Sequence, residues 1–363
     1  MSYHVDPHKD RQLSFERFLT SIVLFLILCV VMLFVTEKIH APVDQAAQQL
    51  SIPHLPAHTN GTVVFLPLVM HASPCRSGRI VFVTSQDGDF EIAVMPADGS
   101  YVTQLTHNAA NDEFPMWSPD GSQIAFSSDR DGHFEIYVMQ ADGSNQTRLT
   151  FSNTSMFYHA RSPEWSPDGS MIAFTGVNES YTTSDVYVVR ANGSGLTRMT
   201  DNQKSWGTTW SPDGSQIAFV SNGNRSTSAL YTMRVDDPTS VHLVAHDDEM
   251  IRDYDMPRWS PDGRQIVFTA TAKMAPFSER IGRVESAGTS PRWVGDGAAA
   301  DWSPDGSCFA FSRADGVTGR AIYVMNSEGI GIDKISNDNL QQADSPRWRR
   351  RPAQHGKYER GGH

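Results

Sequence analysis

The pentapeptide Trp-Ser-Pro-Asp-Gly occurs five times in this chain, with its tryptophan at Trp117, Trp165, Trp210, Trp259 and Trp302. In every copy an apolar segment begins seven residues after the tryptophan, at Ile124, Ile172, Ile217, Ile266 and Phe309. A unit that returns every 43 to 49 residues is one supersecondary structure copied side by side, because a single copy cannot bury its own apolar face.

The punctuation inside each copy identifies the unit. The first strand ends at the tryptophan, and Ser-Pro-Asp-Gly makes the turn: proline presets φ at its second position and glycine accepts a positive φ at its last. The second strand alternates apolar side chains, as in Ile124-Ala-Phe126, with counterparts starting at Ile80, Ile172, Ile217, Ile266 and Phe309. The third strand, Glu135 to Met139 in one copy, runs into Ala-Asp-Gly-Ser; Asp-Gly or Asn-Gly between two apolar runs is a strong hairpin signal. Thr147 to Thr150 supplies the fourth. Four antiparallel strands per copy describe a β-propeller blade, and the period of two excludes a helical solenoid.

There are six second strands but five pentapeptides. The first copy, Arg79 to Thr106, lacks a first strand of its own, and the chain ends its repeats with a spare one, Asp344-Ser-Pro-Arg-Trp348. The expected fold is therefore all-β: a six-bladed β-propeller over residues 77–350, closed by its last strand so that no sheet edge is left at the seam.

Ahead of the repeats, Phe18 to Thr36 is a run of nineteen residues without a charge, long enough for a bilayer core. Lys9, Arg11 and Arg17 precede it and only Lys38 follows closely. The positive-inside rule then gives a cytoplasmic tail (1–17), a transmembrane helix (18–36), a proline-containing stalk (37–76) and an extracytoplasmic propeller, with a basic tail at 351–363. A cleaved signal peptide is the alternative. Of three cysteines, Cys29 falls in the apolar run; Cys75 and Cys308 could form one disulfide across the first and last blades, or remain two free thiols. The formal charge of -11 argues against a nucleic-acid partner.

Loop lengths show which side of the ring is free to specialise. The first-to-second and third-to-fourth connections are nearly constant and share one face. The second-to-third and blade-to-blade connections vary, from 11 to 14 and from 9 to 16 residues between equivalent positions, and share the other. Binding residues gather on variable loops above a rigid scaffold. The candidates on this variable face are Asp112 and Glu113, His159 and Arg161, Asp253 and Asp255, Asp301, and Asp344. Converging carboxylates there would suit a structural Ca2+ or a basic group of a partner. His107, His159 and His246, placed in loops of the same face, would have to converge with carboxylates to make a channel-mouth lyase or hydrolase.

The recurrent string D-x-x-P-x-W-S-P-D-G-S-x-I-A-F, followed by E-I-Y-V-M-x-A-D-G-S and R-L-T, resembles the repeats of the TolB family of six-bladed propellers; Asp112 to Thr150 carries it almost throughout. The resemblance covers residues 77–350 and implies the propeller fold and work with envelope proteins. The α/β domain of periplasmic TolB-type proteins is not matched, and the G-x-S-x-G elbow of propeller-bearing peptidases is absent. No P-loop or H-E-x-x-H motif is present either. The expectation is a membrane-anchored binding module for an envelope or extracellular protein, peptide or glycan, with the channel-mouth enzyme as its alternative.

Overall fold

The computed structural model describes residues 74–350, apart from 86–87, 153–155, 224, 247–250, 274–278, 317–318, 338–339 and 341. The expected span at 18–36, most of the stalk and the basic tail lie outside the described residues. Among the described residues no helix is long and apolar enough to cross a membrane.

Six four-stranded antiparallel sheets form the blades. Blade 2 shows the plan: Asp112–Trp117 innermost, then Gln123–Ser128, Glu135–Gln140 and the short outer Thr147–Arg148. The innermost strands of blades 3 to 6 are His159–Trp165, Ser205–Trp210, Ile251–Trp259 and Ala298–Trp302. Blade 1 has Arg79–Thr84, Glu91–Pro96 and Thr103–Gln104, and takes Asp344–Trp348 as its innermost strand, with Trp348 opposite Ile80. The predicted six blades and their interlocked closure are thus both found.

The alternation read from the sequence becomes the packing between blades. Phe82, Phe126, Phe174, Phe219, Phe268 and Phe311 occupy one position of the second strands and are all at most 1% exposed. Four of them face a tyrosine across the pair, Tyr137, Tyr187, Tyr231 and Tyr323, with ring centroids 5.6 to 5.8 Å apart. Burying each phenylalanine is worth roughly 1.5–3 kcal/mol. In blade 5 the tyrosine is Gly282: a Cβ there would sit 2.5 Å from the Phe268 ring, and Trp293 fills the space edge-on instead. The repeat tryptophans are buried between neighbouring blades, Trp210 and Trp302 donating to the Glu164 and Arg258 carbonyls, so they serve the packing of the ring.

Every innermost strand carries the same defect. The residue three before the tryptophan has a positive φ in all six: Phe114, Ser162, Gly207, Met256, Ala299 and Ser345, with φ between 48° and 61°. The register with the second strand slips at that point in each blade. A one-residue bulge restores parity, so residues one and four before the tryptophan both face inward.

Cys75 and Cys308 are joined by a disulfide, which links the turn Pro74–Arg76 to the second strand of blade 6. Both are buried, in one apolar cluster with Trp348, Leu340 and Ile335 at the closure seam. The propeller's packing thus begins two residues before the boundary set at 77. Trp348 adds an indole bond to the Ser77 carbonyl, at 3.1 Å.

Candidate functional site: a channel with charged walls

The bulges place two rings of side chains in the central channel. The ring directly before the tryptophans consists of Met116, Glu164, Thr209, Arg258, Asp301 and Arg347, every one of them buried. Four charges therefore sit in the throat of the propeller. Arg258 Nη1 donates to the carbonyls of Pro257 (2.8 Å) and Thr208 (3.2 Å), and lies 3.8 Å from Glu164 Oε2. Arg347 Nη1 donates to the carbonyls of Pro346 (2.7 Å) and Ala299 (3.1 Å), and no carboxylate among the described residues forms an ion pair with it. Asp301 Oδ2 accepts the backbone N–H of Trp348 at 2.7 Å. Burial and the neighbouring Arg258 push the Arg347 guanidinium down to about 9, and burial pushes the Glu164 carboxyl up.

The second ring, four residues before the tryptophans, holds Glu113, Arg161, Trp206, Asp255, Ala298 and Asp344. Glu113 and Arg161 form an ion pair, and Arg161 also lies over the rings of Phe134 (4.3 Å) and Phe114 (5.1 Å). Burial raises the Glu113 carboxyl against the opposing pull of Arg161. Burial also raises Asp255, whose Oδ1 accepts the Met256 N–H at 2.7 Å.

These rings border two distinct cavities. The one towards the variable face has a volume of about 170 Å³ and is walled by Phe114, Tyr181 and Trp206, with Asp255, Arg258 and Arg347 among its polar lining. The one towards the constant turns, about 210 Å³, is framed by the tryptophans and prolines of those turns and reaches Glu164 and Asp301. Three guanidiniums and the Asp255 carboxylate thus line one mouth of the throat, and Glu164, Asp301 and Arg350 the other, where Arg350 lies 3.9 Å from Glu164.

The residues singled out from the sequence divide into two groups. Glu113, Arg161, Asp255 and Asp344 belong to the inward-facing ring, although Asp344 is engaged by Ser312 (2.6 Å) and Arg320 (3.1 Å). Asp301 belongs to the throat. Asp112 does not take part: it is fully buried and accepts from both Arg130 (3.0 Å) and Asn108 (2.8 Å), fastening loops of its own blade. Asp253 is paired with Arg252 at 2.6 Å. His159 is not a loop histidine. It is the buried first residue of a strand, its Nδ1 accepts the Phe134 N–H at 3.2 Å, and it stacks on Tyr181 at 4.4 Å. His107 and His246 are exposed and follow the outer strands of blades 1 and 4, on opposite sides of a six-membered ring. Among the described residues no group of three or more His, Cys, Asp or Glu could hold a metal ion. Arg258, Arg347, Glu164, Trp206 and Tyr181 were not anticipated. The signal for the first three was variation at one register position, the residue before each tryptophan.

Beside the variable-face mouth runs a ridge of aromatic and basic side chains from blades 2 and 3. Phe151, Met156, Tyr158 and Tyr181 are 40–59% exposed. The ridge is continuous: Arg148 lies over Phe151, Arg148 and His133 both bind Glu135, His133 packs on Tyr158 (5.3 Å), and Tyr158 on His159 (4.8 Å), which stacks on Tyr181. A groove of about 400 Å³ runs alongside, between Tyr158, Asn178 and Gln203.

The architecture defines a closed six-bladed β-propeller whose throat is lined with ionisable residues. The chain belongs to the TolB β-propeller domain family (PD40), whose profile matches residues 71–158 and 154–350. Among solved structures it is similar to TolB from Acinetobacter baumannii, at 18% identity over 76% of this chain and 68% of that one, with a TM-score of 0.65. It is also similar to a TolB-type protein from Agrobacterium tumefaciens, at 22% identity over 72% and 88%, with a TM-score of 0.56. A third similar structure is an oligogalacturonate lyase in complex with manganese, at 16% identity over 72% and 74%, with a TM-score of 0.52. At these identities the likeness is one of fold. No curated protein matches the sequence.

Proposed function

We propose that this chain is a membrane-tethered, extracytoplasmic binding module that docks a protein partner on its variable face and performs no catalysis of its own. The observation that carries this reading is the exposed ridge Phe151–Met156–Tyr158–Tyr181 beside the channel mouth. Tyrosine, methionine, phenylalanine and arginine are the side chains that protein interfaces concentrate, and they yield binding energy when a partner excludes water from them. Contiguous exposed apolar surface is costly unless something covers it.

Two further features support the reading. A buried disulfide fits an oxidising compartment outside the cytoplasm, the side of the membrane to which the charges around residues 18–36 would send the propeller. The histidines that a metal-dependent enzyme would require are dispersed around the ring.

The test is crosslinking on intact membranes with the full chain, followed by its recovery. Recovery of one stoichiometric envelope protein is expected, reduced at least tenfold by Tyr158→Ala combined with Tyr181→Ala. Equal recovery with and without the two tyrosines would remove the ridge as the docking surface.

A further inference from the structure

The throat separates its charges in a way that the docking proposal does not require. Four charged side chains line the variable-face cavity: three arginines, Arg161, Arg258 and Arg347, and one carboxylate, Asp255. Arg161 is already matched by Glu113 outside the lining. Arg258 and Arg347 are 6% and 2% exposed, and their Nη1 atoms donate to backbone carbonyls. The Nε of Arg258 is buried without an acceptor, as is the Thr208 hydroxyl beside it. Arg258 has Glu164 at 3.8 Å, whereas Arg347 forms no ion pair among the described residues; a buried guanidinium so placed is costly, and a hydrogen-bonded carboxylate relieves that cost. The carboxylates of the same ring, Glu164 and Asp301, border the opposite cavity, where Glu164 also faces Arg350 at 3.9 Å and Asp301 accepts the Trp348 N–H.

Resting on the docking reading, we propose that this cavity receives one carboxylate of the docked partner, the side chain of an aspartate or glutamate carried on a peptide segment. The size supports a protruding group over a whole ligand. About 170 Å³ holds roughly five waters at about 30 Å³ each and falls below the roughly 300–1,000 Å³ of small-molecule sites. The walls suit the rest of such a residue, since Phe114, Tyr181 and Trp206 give apolar contact to a methylene stem above a cationic floor. Tyr181 also belongs to the ridge, so a segment lying on the ridge reaches the mouth without leaving the surface.

The experiment titrates the full chain with acetyl-Gly-Asp-Gly-amide, its asparagine counterpart and acetate, following the Nε–Hε resonances of Arg258 and Arg347. The aspartate peptide is expected to shift both resonances and to bind at least tenfold more tightly than either the asparagine peptide or acetate. Arg347→Met should weaken it at least tenfold. Asp255→Asn, which removes the one competing carboxylate of the lining, should tighten it several-fold, a gain that impaired folding cannot mimic. Equal binding of the two peptides, or weaker binding to Asp255→Asn, would overturn the assignment; acetate binding as well as the aspartate peptide would replace the peptide segment with a free anion. Loss of partner capture in the tyrosine variants together with silent peptides would leave the ridge reading intact and remove only this one.

Discussion

At the scale of single residues, blade 1 departs from the pattern of blades 2 and 3 by one side chain with a measurable consequence. The third strands of blades 2 and 3 carry a buried acid at or next to their start, Glu135 or Asp185, which Arg148 or Arg198 of the outer strand and the threonine after it answer. Blade 1 has the acid, Glu91, but Gln104 in place of the arginine. Its Nε2 reproduces the bond of Arg148 Nε to the threonine carbonyl, Thr106 here, yet brings no charge. Glu91 is fully buried, and burial pushes its carboxyl up to about 7. A folded-state value above the unfolded one means that the native chain binds the extra proton. Stability is therefore highest below about pH 4.5 on this account and falls as pH rises towards 7, by up to about 3 kcal/mol. Gln104→Arg is expected to flatten that fall, raising the thermal midpoint at pH 8 but hardly at pH 5; parallel profiles would contradict it. The repeat made the acid legible in the sequence. Its missing partner became visible only once Tyr137↔Arg148 and Ala93↔Gln104 were known to be equivalent pairings.

At the scale of elements, the bulge is what turns a strand into a channel wall. The pentapeptides revealed where the innermost strands end, and with them the blades, because tight turns have strict chemistry. The bulge left no such mark. Phenylalanine, methionine and alanine are poor left-handed residues, so Phe114, Met256 and Ala299 give no hint of φ near 50°. This is why Glu113 and Asp255 were selected for their charge, whereas Arg258 and Arg347, which share their wall, were passed over. A non-glycine residue held there stores strain of about 1 kcal/mol. Ala299→Gly should accordingly stabilise the protein by up to about 1 kcal/mol. Gly207→Ala should destabilise it by at least as much, since its Cβ would lie 3.3 Å from Asp255 Oδ1 and 3.4 Å from Pro257. Denaturant midpoints read both signs, and matching signs would show that the bulge is not strained.

At the scale of the whole molecule, the ring is closed by a strand pairing, an indole hydrogen bond and a covalent link, all at one seam. The strand was legible as a spare copy of the repeat. The sulfur bond stayed an open alternative, because pairing depends on Cα separation, 5.6 Å here, which sequence spacing does not report. A cross-link spanning 233 residues removes enough freedom from the unfolded chain to contribute about 5 kcal/mol. Deleting residues 345–363 removes Trp348 and Arg347 and bares the edge of Arg79–Thr84; the truncated chain is expected to aggregate or melt far below the full one. An unchanged melting temperature would mean that the seam is held by its sulfur atoms alone.

The seam also fixes an orientation. Arg349 N–H bonds the Arg79 carbonyl at 2.8 Å, so the backbone arrives at its first blade and departs from its last strand on the same side, that of the constant turns. Both ends of the described propeller chain therefore meet on the face opposite the guanidinium-floored mouth and its aromatic rim.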